Sequence, residues 1–203
     1  FAKQAYELGF SKFGKDSINT ANLAINYANM LANTSMELRQ QRTTLYKQAL
    51  DIISNKEASD PLAQVDPLFG IAKSAENWRT AKRHLNDALK LIAQSDQQKL
   101  LADSQLEAAK LLTQRFGFDR SALIKAKNYL EQAEHYYQEN VAKNTLEHVN
   151  LNFYQAVTKA RLNHKSDAVA HLTTIVDLFD ETLDFDHPVE LKAHSMLVEL
   201  YER

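Results

Sequence analysis

The sequence predicts an all-α solenoid built from antiparallel helix pairs. Helix breakers are scarce, since Gly occurs four times and Pro three times in 203 residues, which argues against a many-stranded β fold. A six-residue pattern recurs along the chain, and its third residue stands at positions 5, 49, 88, 133 and 175. The intervals of 44, 39, 45 and 42 residues are too even for chance and indicate a structural repeat.

Three copies of the repeat share one spacing of apolar residues. Each has an Ala, then a Leu four positions later, then Ala or Ile three positions after that. The copies are Ala81, Leu85 and Ala88; Ala126, Leu130 and Ala133; and Ala168, Leu172 and Ile175. Residues with this spacing lie on one helix face, and small Ala side chains let a second helix approach closely. We therefore expect these residues on the inner face of the second helix of each pair.

Capping residues and prolines mark the predicted helix ends. Ser17 and Asp119 are good N-caps, Pro188 suits a first helical turn, and residues 55–67 form the most irregular connection. The predicted helices cover residues 1–12, 17–33, 36–54, 62–76, 78–94, 98–115, 119–139, 145–162, 165–181 and 188–203. Because the period continues across every loop, we expect a single domain over residues 1–203.

The repeat resembles the tetratricopeptide repeat. That family has a helix A with W-x2-L-G-x2-Y and a helix B with A-x3-F-x2-A. The Ala and Leu patterns above are similar to helix B, Trp78 stands where an aromatic often leads into it, and Leu23-Ala24-x2-Tyr27 resembles helix A. The long intervals are similar to kinesin-light-chain repeats, whose L-G-x-D-H-P motif resembles Phe185-Asp186-His187-Pro188. The resemblance covers nearly the whole chain.

This resemblance implies a right-handed superhelix in which the A helices line a groove for a protein or peptide. Two predicted A helices carry polar stripes that fit such a face. The first has Asn22, Asn26 and Asn29, in line with Asn19 and Asn33. The second has His148, Asn152, Gln155 and Lys159. The alternative for both stripes is an ordinary solvated face.

Signatures of catalysis and cofactor binding are missing from the sequence. The chain has no Cys, its four Gly residues form no phosphate loop, and neither H-E-x-x-H nor G-x-S-x-G occurs. His164, Asp167 and His171 have a spacing that could bind a metal, but we interpret them as the exposed face of their helix. We therefore predict no cofactor, no metal and no enzymatic activity.

The charge balance favours no particular class of charged partner. Lys and Arg number 24 against 26 Asp and Glu, and no apolar run reaches the roughly 18 residues of a membrane span. Seven acidic residues and no Lys or Arg lie between Lys165 and Lys192. This acidic run is interpreted either as a solvated helix end or as a docking patch for a basic partner. We predict a protein or peptide partner, no nucleic acid and no membrane insertion.

Three functional hypotheses follow from these observations. The leading one is a non-catalytic interaction scaffold. The alternatives are a sensor for a small ligand or peptide, and an accessory domain of an enzyme or of a cell-envelope transport protein. Because the chain opens with Phe1 and ends within a helical pattern, we expect it to be part of a longer protein. The lack of Cys fits an exported bacterial protein, with the cytoplasm as the alternative.

Overall fold

The computed structural model describes residues 1–56, 60–182 and 187–202, and these residues form ten α-helices, one 3-10 turn and no strand. The all-α prediction is confirmed. The helices are α1 (Ala2–Phe13), α2 (Ile18–Met30), α3 (Met36–Ser54), α4 (Val65–Ser74), α5 (Trp78–Ala93), α6 (Gln98–Phe116), α7 (Arg120–Asn140), α8 (Leu146–Arg161), α9 (Lys165–Thr182) and α10 (Pro188–Tyr201). Phe185 and Asp186 of the loop motif lie outside the described residues.

Local hydrogen bonds fix where the helices begin. The Ser17 hydroxyl accepts from the Asn19 amide at 3.2 Å, and Asp119 Oδ1 accepts from the Ser121 amide at 2.8 Å. Pro188 occupies the first turn of α10, where its missing N–H has no intrahelical partner to lose. These three predicted helix starts are confirmed.

The start of α4 differs from the prediction of a helix at 62–76. Pro61–Gln64 instead forms a 3-10 turn, whose first amide at Leu62 donates to Asp60 Oδ1 at 2.9 Å. The α-helix begins only at Val65 and has ten residues. Pro67 falls in its first turn, since a proline further inside would remove an i to i−4 hydrogen bond. Two prolines six residues apart therefore shorten this helix.

The chain forms two compact units, residues 1–97 with α1 to α5 and residues 98–203 with α6 to α10. In the first unit α2 packs on α3 and α4 on α5; in the second α6 packs on α7 and α8 on α9. Short connections make such neighbours antiparallel. The single domain over residues 1–203 stays a prediction.

The repeated Ala and Leu positions form the inner faces of α5, α7 and α9, the B helices. All nine residues of the three patterns are at most 1% exposed. The predicted inner face is therefore confirmed. Small residues at these positions allow the paired helices to come close, as ridge-into-groove packing requires.

The A helices lie beside one another within each unit. In the second unit α8 contacts both α6 and α10, while among the described residues the B helices α7 and α9 make no contact of similar extent. In the first unit α2 contacts α4. The outer faces of the A helices, α2 and α4 in the first unit and α6, α8 and α10 in the second, thus lie side by side within each unit. The layer of the second unit carries the candidate site.

A glycine allows a close helix approach in the first unit. The ring of Tyr46, which is 1% exposed, lies where a Cβ atom on Gly70 would be. The Tyr46 hydroxyl continues past α4 and donates to Asn29 Oδ1 on α2 at 2.6 Å. One buried side chain therefore links α3, α4 and α2.

We expect Ala88→Leu or Ala133→Leu to lower the free energy of unfolding by about 1–3 kcal/mol, because both alanines are fully buried at helix contacts and extra methylenes overpack them. Urea titration monitored by circular dichroism measures the change. Lys90→Leu, at an exposed position of α5, is the matched control and should change stability much less. Equal losses in all three variants would contradict the assigned inner face.

Candidate functional site

An open groove of about 940 Å³ lies in the second unit among α6, α8 and α10, the three A helices of that unit. Its apolar wall is formed by Phe118, Phe153, Val157, Met196 and Leu200. Phe118, in the turn after α6, is 88% exposed. An aromatic side chain this exposed at the edge of a groove is available to a binding partner.

Polar contacts hold the floor of the groove in place. The Gln114 side-chain amide donates to the Tyr154 hydroxyl at 2.7 Å, which joins α6 to α8. The guanidinium of Arg161 donates to the Thr113 carbonyl near the end of α6, and its position overlaps the place a Cβ atom on Gly117 would take. These two contacts join α6 to α8 along the groove.

Charged side chains of both signs complete the lining. Arg161 comes from α8, and Lys192 and Glu199 come from α10. Beneath them the hydroxyls of Thr113 and Thr158 are 3.0 Å apart in a buried hydrogen bond between α6 and α8. The groove thus offers an apolar surface flanked by groups that bind carboxylates, carbonyls and amines.

Groove residues recur at fixed distances from the helix N-cap. The N-cap of α8 is Thr145, and nine and twelve residues later come Tyr154 and Val157. The N-cap of α10 is His187, and the same steps reach Met196 and Glu199. All four residues line the groove, so in α8 and α10 these two steps lie on the side of the helix that faces it.

The asparagine stripe of α2 occupies the same positions in the first unit. Asn26 and Asn29 lie nine and twelve residues after the N-cap Ser17. Asn22 lies five residues after this N-cap, as Lys192 lies five residues after the N-cap of α10. Asn22, Asn26 and Asn29 are all exposed. The structure therefore places the first predicted stripe on the outward face of an A helix.

Two residues of the asparagine stripe are engaged within the protein. Asn29 accepts the Tyr46 hydroxyl bond, and Asn33 donates from Nδ2 to the Lys73 carbonyl of α4 at 3.2 Å. Asn22 and Asn26 make no side-chain hydrogen bond to any residue that the structure describes. These two amides keep their full hydrogen-bonding capacity for another molecule.

The second predicted stripe lies on the opposite side of α8 from the groove. His148 is 8% exposed and Gln155 is 5% exposed, whereas both interpretations from sequence had placed this stripe at the surface. Asn152 donates to the His148 carbonyl, and Lys159 contacts His171 of α9. Asn152 and Lys159 contact α9 through His171, whereas His148 Nδ1 and Gln155 Oε1 are buried without a hydrogen-bond partner among the described residues. A role of these residues in partner binding stays a prediction.

The contact between α8 and α9 fixes the protonation of His171. The Lys159 ammonium can only donate, and its Nζ is 2.8 Å from His171 Nε2, so that nitrogen accepts. Nδ1 then carries the proton and donates to Asn152 Oδ1 at 3.2 Å. Burial and the nearby Lys159 charge lower the pKa of His171, outweighing Glu134 and Asp167. The imidazole is therefore neutral at pH 7.

His171 is thus occupied by Asn152 and Lys159, while His164 and Asp167 are exposed. In the described part of the chain, no three His, Asp or Glu residues come close enough to hold a metal ion. Likewise, none of the described helices combines the length and apolarity needed to cross a bilayer. Asp184 and Asp186 of the acidic run lie outside the described residues.

The paired helices and their buried alanines define a tetratricopeptide-like repeat fold, as the sequence predicted. A similar solved structure is that of a protein from Podospora anserina, described as a kinesin light chain with nearly identical TPR-like repeats. It has a TM-score of 0.66 at 18% identity, over 90% of this chain and 83% of that one. A Gln-to-Met variant of that protein gives a TM-score of 0.69 with the same identity and coverage. At this identity the likeness concerns the fold. No family model and no curated protein matches the chain.

We expect the free energy of unfolding to fall as the pH is lowered from about 7.5 to 5.5. Burial lowers the pKa of both His148 and His171 in the folded protein, below the value of about 6.5 for an exposed His. As the pH falls, the unfolded chain therefore binds protons at these two histidines before the folded protein does. Their contribution to stability is complete above about pH 6.5 and is lost as the pH drops through their pKa values in the folded protein.

Urea titrations at several pH values measure this dependence. The double variant His148→Gln with His171→Gln should show a flatter profile than the wild type. His135→Gln, which changes an exposed imidazole on α7, is the control and should keep the wild-type slope. Identical slopes for the wild type and the double variant would contradict the prediction.

Proposed function

We propose that this protein is a non-catalytic interaction module that binds a segment of a partner protein in the groove lined by α6, α8 and α10. The observation that carries the proposal is an apolar groove wall of half-buried side chains, with the 88% exposed Phe118 at its edge. A protein segment supplies both the apolar side chains for such a wall and the backbone groups for its polar rim.

The dimensions of the groove fit a chain segment. Lys192 and Glu199 lie seven residues apart on α10, about 10 Å along the helix axis. An extended or helical peptide can contact both ends of this row, with an apolar anchor against Met196 between them. Arg161 is held by the Thr113 carbonyl, so part of the polar rim is ordered without a partner.

Asn22, Asn26 and Asn29 are proposed as a second contact surface of the same kind, in the first unit. Support comes from their N-cap distances, which match those of the groove residues Lys192, Met196 and Glu199. Asn offers a short donor and acceptor for the backbone of an extended peptide. For His148, Asn152, Gln155 and Lys159, we propose that they affect binding by positioning α8.

We expect Phe118→Ser to weaken partner binding about tenfold or more, because the substitution removes an exposed apolar anchor while leaving the core intact. The intact chain first captures a partner, which mass spectrometry identifies, and calorimetric titration then compares the variants. Ile124→Ser, which removes a 46% exposed apolar side chain on α7 outside the groove, is the matched control. Equal weakening by both substitutions would overturn the groove as the binding site.

For the first unit, we expect Asn22→Ala with Asn26→Ala to weaken the same partner about tenfold while stability stays equal or rises slightly, since Ala is the better helix former. Asn29→Ala should in addition cost about 1 kcal/mol of stability, because the Tyr46 hydroxyl loses its acceptor. Titration and thermal unfolding of the same samples separate the two effects. If the double variant binds with unchanged affinity, the asparagine stripe is an ordinary solvated surface and does not contact the partner.

A further inference from the structure

A second pocket, of about 500 Å³, lies in the first unit between α3 and α5. α3 and α5 are the second helices of the packed pairs α2–α3 and α4–α5, so the pocket does not involve the asparagine stripe of α2. Arg39 and Lys47 line it from α3, and Arg83 and His84 line it from α5. Glu76, in the connection before α5, is the one carboxylate of the lining.

The cations of this pocket lack ion-pair partners. Among the residues that the structure describes, Arg39, Lys47 and Arg83 form no salt bridge. Some lysines elsewhere have an acidic partner one turn away, as Lys127 of α7 has in Glu131 at 3.3 Å. The lining therefore concentrates unpaired positive charge on two facing helices, which favours an anionic ligand.

One hydrogen-bond donor of the pocket is buried without an acceptor among the described residues. A guanidinium can only donate, and Arg83 Nη2 is 3.3 Å from His84 Nε2, so that nitrogen accepts and Nδ1 carries the proton. His84 Nδ1 is buried and has no acceptor among the described residues. Burial, Arg83 and Lys47 lower the pKa of His84, and Asp87 opposes them. Lys47 of α3 and His84 of α5 line the same pocket, so both walls face one space.

The first turn of α5 adds to the positive field. Asn77 caps this helix through a 2.9 Å hydrogen bond to the Thr80 amide, and the first turn contains no acidic residue. The amino end of a helix carries a partial positive charge. Thr80 also lines the pocket, so this end of the dipole faces the same space as the cations.

We propose that the pocket between α3 and α5 binds an acidic segment of a partner protein. Arg39 and Lys47 are eight residues apart on one helix, about 12 Å along its axis. A single inorganic anion cannot span that distance. Alternate side chains of an extended peptide are about 7 Å apart, so two or three carboxylates of one segment can reach cations on both helices. This pocket is formed by other helices than the groove of the second unit, so a negative result for one site leaves the proposal for the other unaffected.

The test is a titration of the full chain into a fluorescein-labelled peptide of alternating Glu and Ser, followed by anisotropy at low salt. Lys47→Gln with Arg83→Gln should weaken binding about tenfold or more, and both residues are exposed, so the fold is kept. Lys15→Gln with Lys90→Gln removes the same charge from exposed positions outside the pocket and should leave the affinity near that of the wild type.

Several outcomes would overturn the proposal. Equal weakening by both pairs of substitutions would mean diffuse attraction to the whole surface. Equal binding of a peptide with Gln in place of Glu would exclude recognition of carboxylates. Full displacement by inorganic phosphate at the same anion concentration would indicate a site for a small anion. A dimer in sedimentation experiments that the pocket substitutions abolish would make a second copy of this chain the occupant.

Discussion

Close approach between helices, made possible by small buried side chains, is the constraint on which the other features depend. Ala81, Ala88, Ala126 and Ala133 are fully buried, so α5 and α7 come close to the helices that they pack against. Once the pairs are packed, the A helices lie side by side, and only their outer faces remain uncovered. The groove of the second unit is a direct result, because its walls are the faces that packing leaves open.

Most of the fold could be predicted because its determinants are local in the sequence. Ser17 and Asp119 set helix starts through hydrogen bonds to amides two residues away, and the Ala and Leu spacing sets the buried faces. The start of α4 was misplaced because two prolines, Pro61 and Pro67, compete to define the first turn. A 3-10 turn and an α-helix start are equally compatible with that local sequence.

The candidate site was harder to predict, since polarity alone does not reveal which side of a helix is exposed. His148 and Gln155 look like surface residues, yet they are buried, because neighbouring helices surround them. Phe118 and Phe153 look like core residues, yet they line the groove. The useful signal was the distance from the N-cap, because a fixed number of residues after the cap corresponds to a fixed rotation around the helix axis.

The N-cap spacing also bears on how such a chain changes over evolution. The residue twelve positions after the N-cap differs among the A helices. It is the amide Asn29 in α2, the aliphatic Val157 in α8 and the carboxylate Glu199 in α10. Val157 and Glu199 line the groove, so their exchange alters what the surface recognises, whereas Asn29 also accepts the Tyr46 hydroxyl and contributes to stability. The surface at this step can therefore vary while the buried alanines keep the helices packed. A shared fold alone accounts for a TM-score of 0.69 to another structure at 18% identity.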